Sequence, residues 1–211
     1  ILASAGEGDD IALWDTETGR IDKSLTGKSS YISQGHSLAF SPDGARIAVG
    51  MRDKIARIWD STTGKPLATL TGHLSGITSL AFSPDGARLA TGSPDWTARV
   101  WDSATGKLLM ALLPGYSHCS VAFSPDGNLM VSTAEEASPR LWDLTNMKRI
   151  TSHVIERLPK SEPLFFSPDG GILKSTSSYI DIQTGYSEYV PYPDGECMDF
   201  MPNSNIVATG H

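Results

Sequence analysis

Cysteine is nearly absent: among 211 residues only Cys119 and Cys197 carry a thiol. Neither lies in a Cys-x-x-Cys or Cys/His cluster with zinc spacing, which excludes both a disulfide framework and a zinc module. The two thiols are expected to pack in strands as small apolar groups. No apolar run approaches the roughly 18 residues of a membrane-spanning helix, so no membrane partner is expected. Basic residues are in deficit, 17 against 24 acidic, for a formal net charge of −7. Without a global positive field to neutralise phosphates, nucleic acid is a poor candidate partner. Asn128, Asn146, Asn203 and Asn205 all lack a Ser or Thr two positions on, so no glycosylation sequon points to secretion. An intracellular location, cytoplasmic or nuclear, is the expectation. The first residue is Ile1, with no charged-then-apolar signal region after it, and the chain reads as part of a longer product.

Turn formers, by contrast, are plentiful. Twenty glycines and thirteen prolines, with no long helix-forming stretch, predict many short elements separated by turns, an all-β chain. The turn formers recur in phase. FSPDG starts at Phe40, Phe82, Phe123 and Phe166, and a degraded copy, FMPNS, starts at Phe200, with steps of 42, 41, 43 and 34 residues. A second string, Trp-Asp-x-x-Thr-Gly, begins at Trp14, Trp59 and Trp101, and weakens to WDLTNM at Trp142 and IDIQTG at Ile180. Two independent markers therefore share one period, and such a period marks a repeat architecture.

Between the markers the pattern alternates with a period of two. In the best-preserved unit ITSLAF, RLATGS, TARVWD and KLLMALL read as four consecutive strands, a to d. Pro-Asp-Gly supplies a tight a–b turn, and Thr-Gly serves c–d likewise. A four-stranded sheet of this kind cannot bury both its faces alone, but stacked radially each sheet covers its neighbours.

The period near 42, Gly72-His73, the FSPDG strings and the Trp-Asp strand ends together resemble the WD-repeat (WD40) β-propeller family over essentially the whole chain. The resemblance implies an all-β propeller of four-stranded antiparallel blades. Phasing places them at residues 1–27, 28–70, 71–112, 113–153, 154–190 and, in part, 191–211. About five blades are visible, and the surplus IVATGH duplicates the role of ILASAG, so a fragment of a seven-bladed ring is expected rather than a closed five-bladed one.

In that family a hydrogen-bonded tetrad ties a His in the d–a loop to a Ser or Thr on strand b, an Asp in the b–c turn and the strand-c Trp. Carried over, the complete set here is His73, Thr91, Asp95 and Trp101. The same residue types build catalytic machinery, but the repeat spacing accounts for them structurally. Elsewhere the pattern departs: the d–a position holds Tyr31, Pro114, Arg157 and Pro191, the strand-b position Ser4, Val49, Ser132 and Ser175, and the turn position Gly8, Asp53 and Glu136. Ser117, His118 and Cys119 invite a hydrolase reading, yet neighbours on a strand face opposite ways and the segment is in phase with strand a. No phosphate loop, HExxH motif or repeat-independent carboxylate pair is present. No catalytic residue, metal site or cofactor is therefore assigned.

Trp96 resists a purely architectural explanation, because it fills a b–c turn slot where WD repeats usually place a polar residue. Family geometry puts Tyr31, Arg52, Trp96 and Glu135 on one rim, the candidate partner-binding surface, with Trp96 as anchor and Arg52 as the nearest charge. Other proteins are the expected partners, and a non-catalytic interaction scaffold the expected function. The alternatives are the sensor region of a multidomain signalling ATPase and a propeller hydrolase. The strand-a phenylalanines and the tryptophans at 59, 101 and 142 are expected to be largely buried between sheets.

Overall fold

The computed structural model describes residues 1–5, 10–26, 37–113, 120–134, 137–146, 148–150, 158, 164–175, 178–189, 198–200 and 207–209. Among them every regular element is a strand and every strand pairing is antiparallel. Sheet 1 holds β1 (Leu2–Ala5), β2 (Asp10–Trp14) and β3 (Ile21–Thr26); sheet 2 holds β4 (Ser37–Phe40), β5 (Arg46–Gly50), β6 (Ala56–Asp60) and β7 (Pro66–Leu70). Sheet 3 follows with β8 (Ser79–Phe82), β9 (Arg88–Gly92), β10 (Ala98–Asp102) and β11 (Leu108–Leu112). Sheet 4 is β12 (Ser120–Phe123), β13 (Leu129–Ala134), β14 (Ala137–Asp143) and β15 (Lys148–Ile150). Sheet 5 is β16 (Phe165–Phe166), β17 (Ile172–Lys174), β18 (Ser178–Asp181) and β19 (Ser187–Tyr189), and β20 (Met198–Phe200) pairs with β21 (Val207–Thr209).

Sheets 2, 3 and 4 are apolar on both faces, because their third strands alternate two core residues. In β6, Ile58 joins the core shared with sheet 3, whereas Trp59 joins the core shared with sheet 1. In β10, Val100 faces sheet 4 and Trp101 faces sheet 2. The result is four separate cores, one between each successive pair of sheets from 1 to 5. The first strands β4, β8, β12 and β16 lie side by side, and the Val121 N–H donates to Ser79 Oγ across two of them at 3.1 Å. This is the radial stacking of a β-propeller.

The repeated strings close the turns at one end of every sheet. Ser41 Oγ accepts the Arg46 N–H at 2.9 Å, Asp43 Oδ1 accepts the Ala45 N–H at 3.0 Å, and Gly44 takes φ 69°. Across the sheet end, Asp60 Oδ1 accepts from the Thr62 and Thr63 N–H groups and from the Thr63 hydroxyl. The Thr63 backbone donor is the leading cause that holds the Asp60 carboxyl below its ordinary range. Ser61 Oγ then donates to the Gly44 carbonyl at 2.6 Å and locks the two turns together.

The tryptophans at 59, 101 and 142 are buried, 4%, 2% and 7% exposed. The phenylalanines are not: Phe40, Phe82, Phe123 and Phe166 are only half-buried. They sit at the turn end of the first strand and pack against the edges of the inter-sheet cores, and on Phe82 and Phe123 a guanidinium from the preceding sheet also covers the ring. Arg46 lies 5.5 Å over the Phe82 ring, donates to the Gly86 carbonyl at 2.8 Å and to Ser103 Oγ at 2.8 Å. Arg88 repeats the device one sheet on, 5.7 Å over Phe123 and 2.7 Å from the Gly127 carbonyl. Each arginine thus ties one sheet to the next. Arg46→Ala is expected to cost about 1–3 kcal/mol, the sum of a lost charge-assisted bond and a cation–π contact. Arg46→Lys should recover under half of this, since an ammonium cannot hold the forked geometry. Urea titration of both variants is the check.

Candidate functional site: a buried tetrad beneath an exposed rim

The opposite end of the sheets is built differently. Here the segment 71–78 leads from sheet 2 into sheet 3 and is held on both sides. On one side the Ile77 N–H donates to the Met51 carbonyl at 3.0 Å. Gly76 approaches so closely that a Cβ there would stand 3.1 Å from Arg52 Cα. On the other side Ser93 Oγ donates to the Ser75 carbonyl at 3.2 Å, and the Leu74 N–H donates to Asp95 Oδ2 at 2.8 Å.

Beneath this segment His73, Thr91, Asp95 and Trp101 form one chain of hydrogen bonds. His73 Nδ1 lies 2.8 Å from Asp95 Oδ2, His73 Nε2 lies 2.7 Å from Thr91 Oγ1, and Trp101 Nε1 donates to Thr91 Oγ1 at 2.8 Å. The direction of each bond follows from the partners. An ionised Asp95 only accepts, so Nδ1–H donates to it, and a neutral imidazole then accepts at Nε2 from the Thr91 hydroxyl. Burial, the largest influence on His73, lowers its pKa and favours the neutral ring. Burial pushes Asp95 upward, but bonds from Thr97, the Leu74 N–H and His73 outweigh it and hold the carboxyl at about 2.

The geometry of Thr91, His73 and Asp95 is that of nucleophile, base and orienting acid. Chemistry is nevertheless closed to it, because Thr91 is 0% exposed and its oxygen already serves both Trp101 and His73. The chain stabilises a loop instead of attacking a substrate. The other sheets keep parts of it. Trp14 Nε1 donates to Ser4 Oγ at 2.7 Å and Trp142 Nε1 to Ser132 Oγ at 2.8 Å. In sheet 2 Val49 replaces the hydroxyl, and Asp53 pairs with Arg57 at 2.9 Å and accepts the Ile55 N–H at 3.1 Å. Ser175 turns to its own hairpin, 3.0 Å from Ser178 Oγ. Among the described residues no cluster of His, Cys, Asp or Glu could hold a metal ion, and no helix is long and apolar enough to cross a membrane.

On the rim above, Trp96 is 60% exposed and Arg52 is exposed as well. Tyr31, Glu135 and the Ser117–Cys119 segment lie outside the described residues. Trp96 holds φ 70° and Lys54, at the same place in the preceding sheet, φ 72°. The left-handed residue is therefore demanded by the turn, and Trp96 occupies a position that favours glycine. Leu74, which sequence reading passed over, is 76% exposed, and its N–H donates to the carboxylate of Asp95, the residue before Trp96. The available signal was an apolar residue between His73 and Ser75-Gly76 in a loop otherwise polar.

Antiparallel sheets stacked through shared apolar cores, one of them carrying the complete tetrad, define the class, a repeat propeller. The family profile described as "WD domain, G-beta repeat" matches three times, at residues 19–60, 64–102 and 107–143. The chain belongs to the WD40 family. It is similar to coronin-like protein crn1 of Schizosaccharomyces pombe, 40% identical over 73 residues, 35% of this chain and 12% of that protein. It is also similar to nuclear distribution protein nudF of Aspergillus niger, 34% identical over 73 residues, 35% of this chain and 16% of that protein. THO complex subunit 6 of Arabidopsis thaliana is 39% identical over 59 residues, 28% of this chain and 15% of that protein. The matched stretch thus spans between 12% and 16% of these relatives' own lengths.

The tetrad generates two expected outcomes. Asp95→Ala should destabilise the chain by about 1–3 kcal/mol, since it leaves the buried His73 donor unpaired and removes the acceptor of the Leu74 N–H; denaturant titration measures it. The pH dependence follows from linkage. His73 is depressed from 6.5, so its contribution is complete above pH 6.5 and is lost as pH falls through the lower folded value. Asp95 is depressed from 3.8 to about 2, so its contribution is complete above pH 3.8 and is lost toward pH 2. Thermal unfolding across pH 2–8 should show stability falling on acidification in both windows, and His73→Gln should abolish the upper one.

Proposed function

We propose that this chain is a non-catalytic, intracellular scaffold for protein–protein interaction, and that a partner docks on the rim carrying Trp96. The observation that supports this most is the side chain of Trp96 itself: an indole 60% exposed, in a turn whose φ of 70° disfavours any side chain. Folding gains nothing from a Trp there, whereas binding gains a large rigid apolar anchor. Leu74 extends the apolar area, and Arg52 and Lys54 supply charge at its border. Tyr31 and Glu135 belong to the same proposed surface through the repeat phase.

Trp96→Ala and Leu74→Asp are each expected to weaken capture of a partner by at least about 30-fold, the roughly 2 kcal/mol of a hot spot. The measurement is affinity purification followed by titration of the recovered partner against wild type and variants. Unchanged affinity in both well-folded variants defeats the rim assignment. Trp96→Gly separates binding from folding: it relieves the left-handed strain and should raise stability by about 0.5–1 kcal/mol, while removing the anchor. Chemical denaturation reads the stability and titration the binding.

A further inference from the structure

Among the described residues, the rim where sheets 2 and 3 meet exposes charge of one sign. Its two carboxylates are turned inward: the Asp53 side chain, 18% exposed, pairs with Arg57, and that of Asp95, 2% exposed, is taken up by the tetrad. Its cations are turned outward, for Arg52 and Lys54 are both exposed. Arg99 adds a positive charge beneath the segment 71–78, where a Cβ on Gly72 would stand 2.5 Å from its guanidinium. The opposite end of the same sheets differs. Asp43 and Asp85 are exposed there, and Lys65 and Lys107 act on the carboxylates of Asp60 and Asp102. On a chain of net charge −7, an anionic partner is repelled by the molecule as a whole and attracted at this rim.

The cations also adjoin the apolar anchor. Lys54 fills in sheet 2 the left-handed turn position that Trp96 fills in sheet 3. Between the two turns, Gly76 packs on the Arg52 backbone and the Leu74 N–H binds the Asp95 carboxylate. From Leu74 to Gly76 the chain advances two residues, at most about 7 Å. We propose, resting on the reading of this rim as a docking surface, that its occupant is an extended acidic segment of another protein that carries an apolar side chain. The apolar side chain packs on the Trp96 indole, and the carboxylates face Arg52 and Lys54. At roughly 3.3 Å per residue, an acidic residue about two to four positions from the apolar one meets this spacing. A nucleic acid is the poorer fit: Leu74 offers no ring for a second base to stack on, and the net charge opposes a phosphate backbone.

Panning a displayed random library of peptides about 12 residues long against the 211-residue chain tests the proposal. Wild type is expected to enrich sequences with Asp or Glu within about four positions of an apolar residue, and Trp96→Ala to lose that enrichment. The double variant Arg52→Glu, Lys54→Glu should turn the preference toward Lys and Arg, and should bind a peptide recovered on wild type at least about tenfold more weakly by fluorescence anisotropy. Lys65→Glu, at the opposite end, should leave that affinity unchanged, and thermal unfolding of each variant checks that the fold is kept. Enrichment that needs Trp96 but lacks the acidic bias, or that survives the charge reversal, overturns the acidic partner and leaves the rim standing as a docking surface. Enrichment no different in Trp96→Ala overturns the rim reading itself, and the proposal with it. A labelled oligothymidylate that binds more tightly than the recovered peptide overturns the proposal in favour of a nucleic acid.

Discussion

Sheets 2, 3 and 4 cannot stand alone, because each buries apolar side chains on both of its faces. That constraint orders everything else. A strand reading Ala-Arg-Ile-Trp-Asp puts Ile58 on one side and Trp59 on the other, and both are buried to within a few per cent. Each face must therefore be covered by another sheet, which has two apolar faces of its own. Stacking propagates the requirement along the chain, and the four inter-sheet cores are its physical record.

The two ends of the sheets meet that constraint with different chemistry. At the FSPDG and Trp-Asp-x-x-Thr-Gly end, short side chains satisfy backbone donors within three residues, and arginines reach across to the next sheet. Every bond there is local or joins neighbours in the same way in successive sheets, so that end varies little from unit to unit. At the other end the complete tetrad exists in sheet 3, while sheet 2 substitutes the Asp53–Arg57 pair. A rim whose support differs from blade to blade also presents a different surface at each blade. Individuality in this molecule is concentrated at that end.

What could be read from the residues follows the same division. Strands, turns and repeat phase were legible because they rest on local chemistry: Gly44 with its left-handed φ and Asp60 capping its own turn need no knowledge of the partner sheet. His73, Thr91 and Asp95 were legible as a set only through the family resemblance, carried over at offsets from Phe82 and Trp101. The arginine cover on Phe82 and Phe123 was not legible, because it depends on Arg46 and Arg88 arriving from the adjacent sheet. Nor was Leu74, whose backbone N–H is held by the Asp95 carboxylate while its side chain stays exposed.

Trp96 brings the two ideas together. The carboxylate of Asp95, immediately before it, takes up bonds from His73, the Leu74 N–H and both the hydroxyl and the N–H of Thr97. A turn pinned at so many points keeps its left-handed third residue whatever side chain stands there, as Lys54 shows with nearly the same φ in a turn pinned by Asp53. The strain that an indole adds, of order 1–2 kcal/mol, is thus carried by the buried tetrad below. Loosening that support would free Trp96 to relax toward an ordinary φ. If the proposed rim binds a partner, the tetrad has a part in it without any chemistry of its own: it holds a large apolar side chain in solvent, in a conformation that its own preferences would abandon.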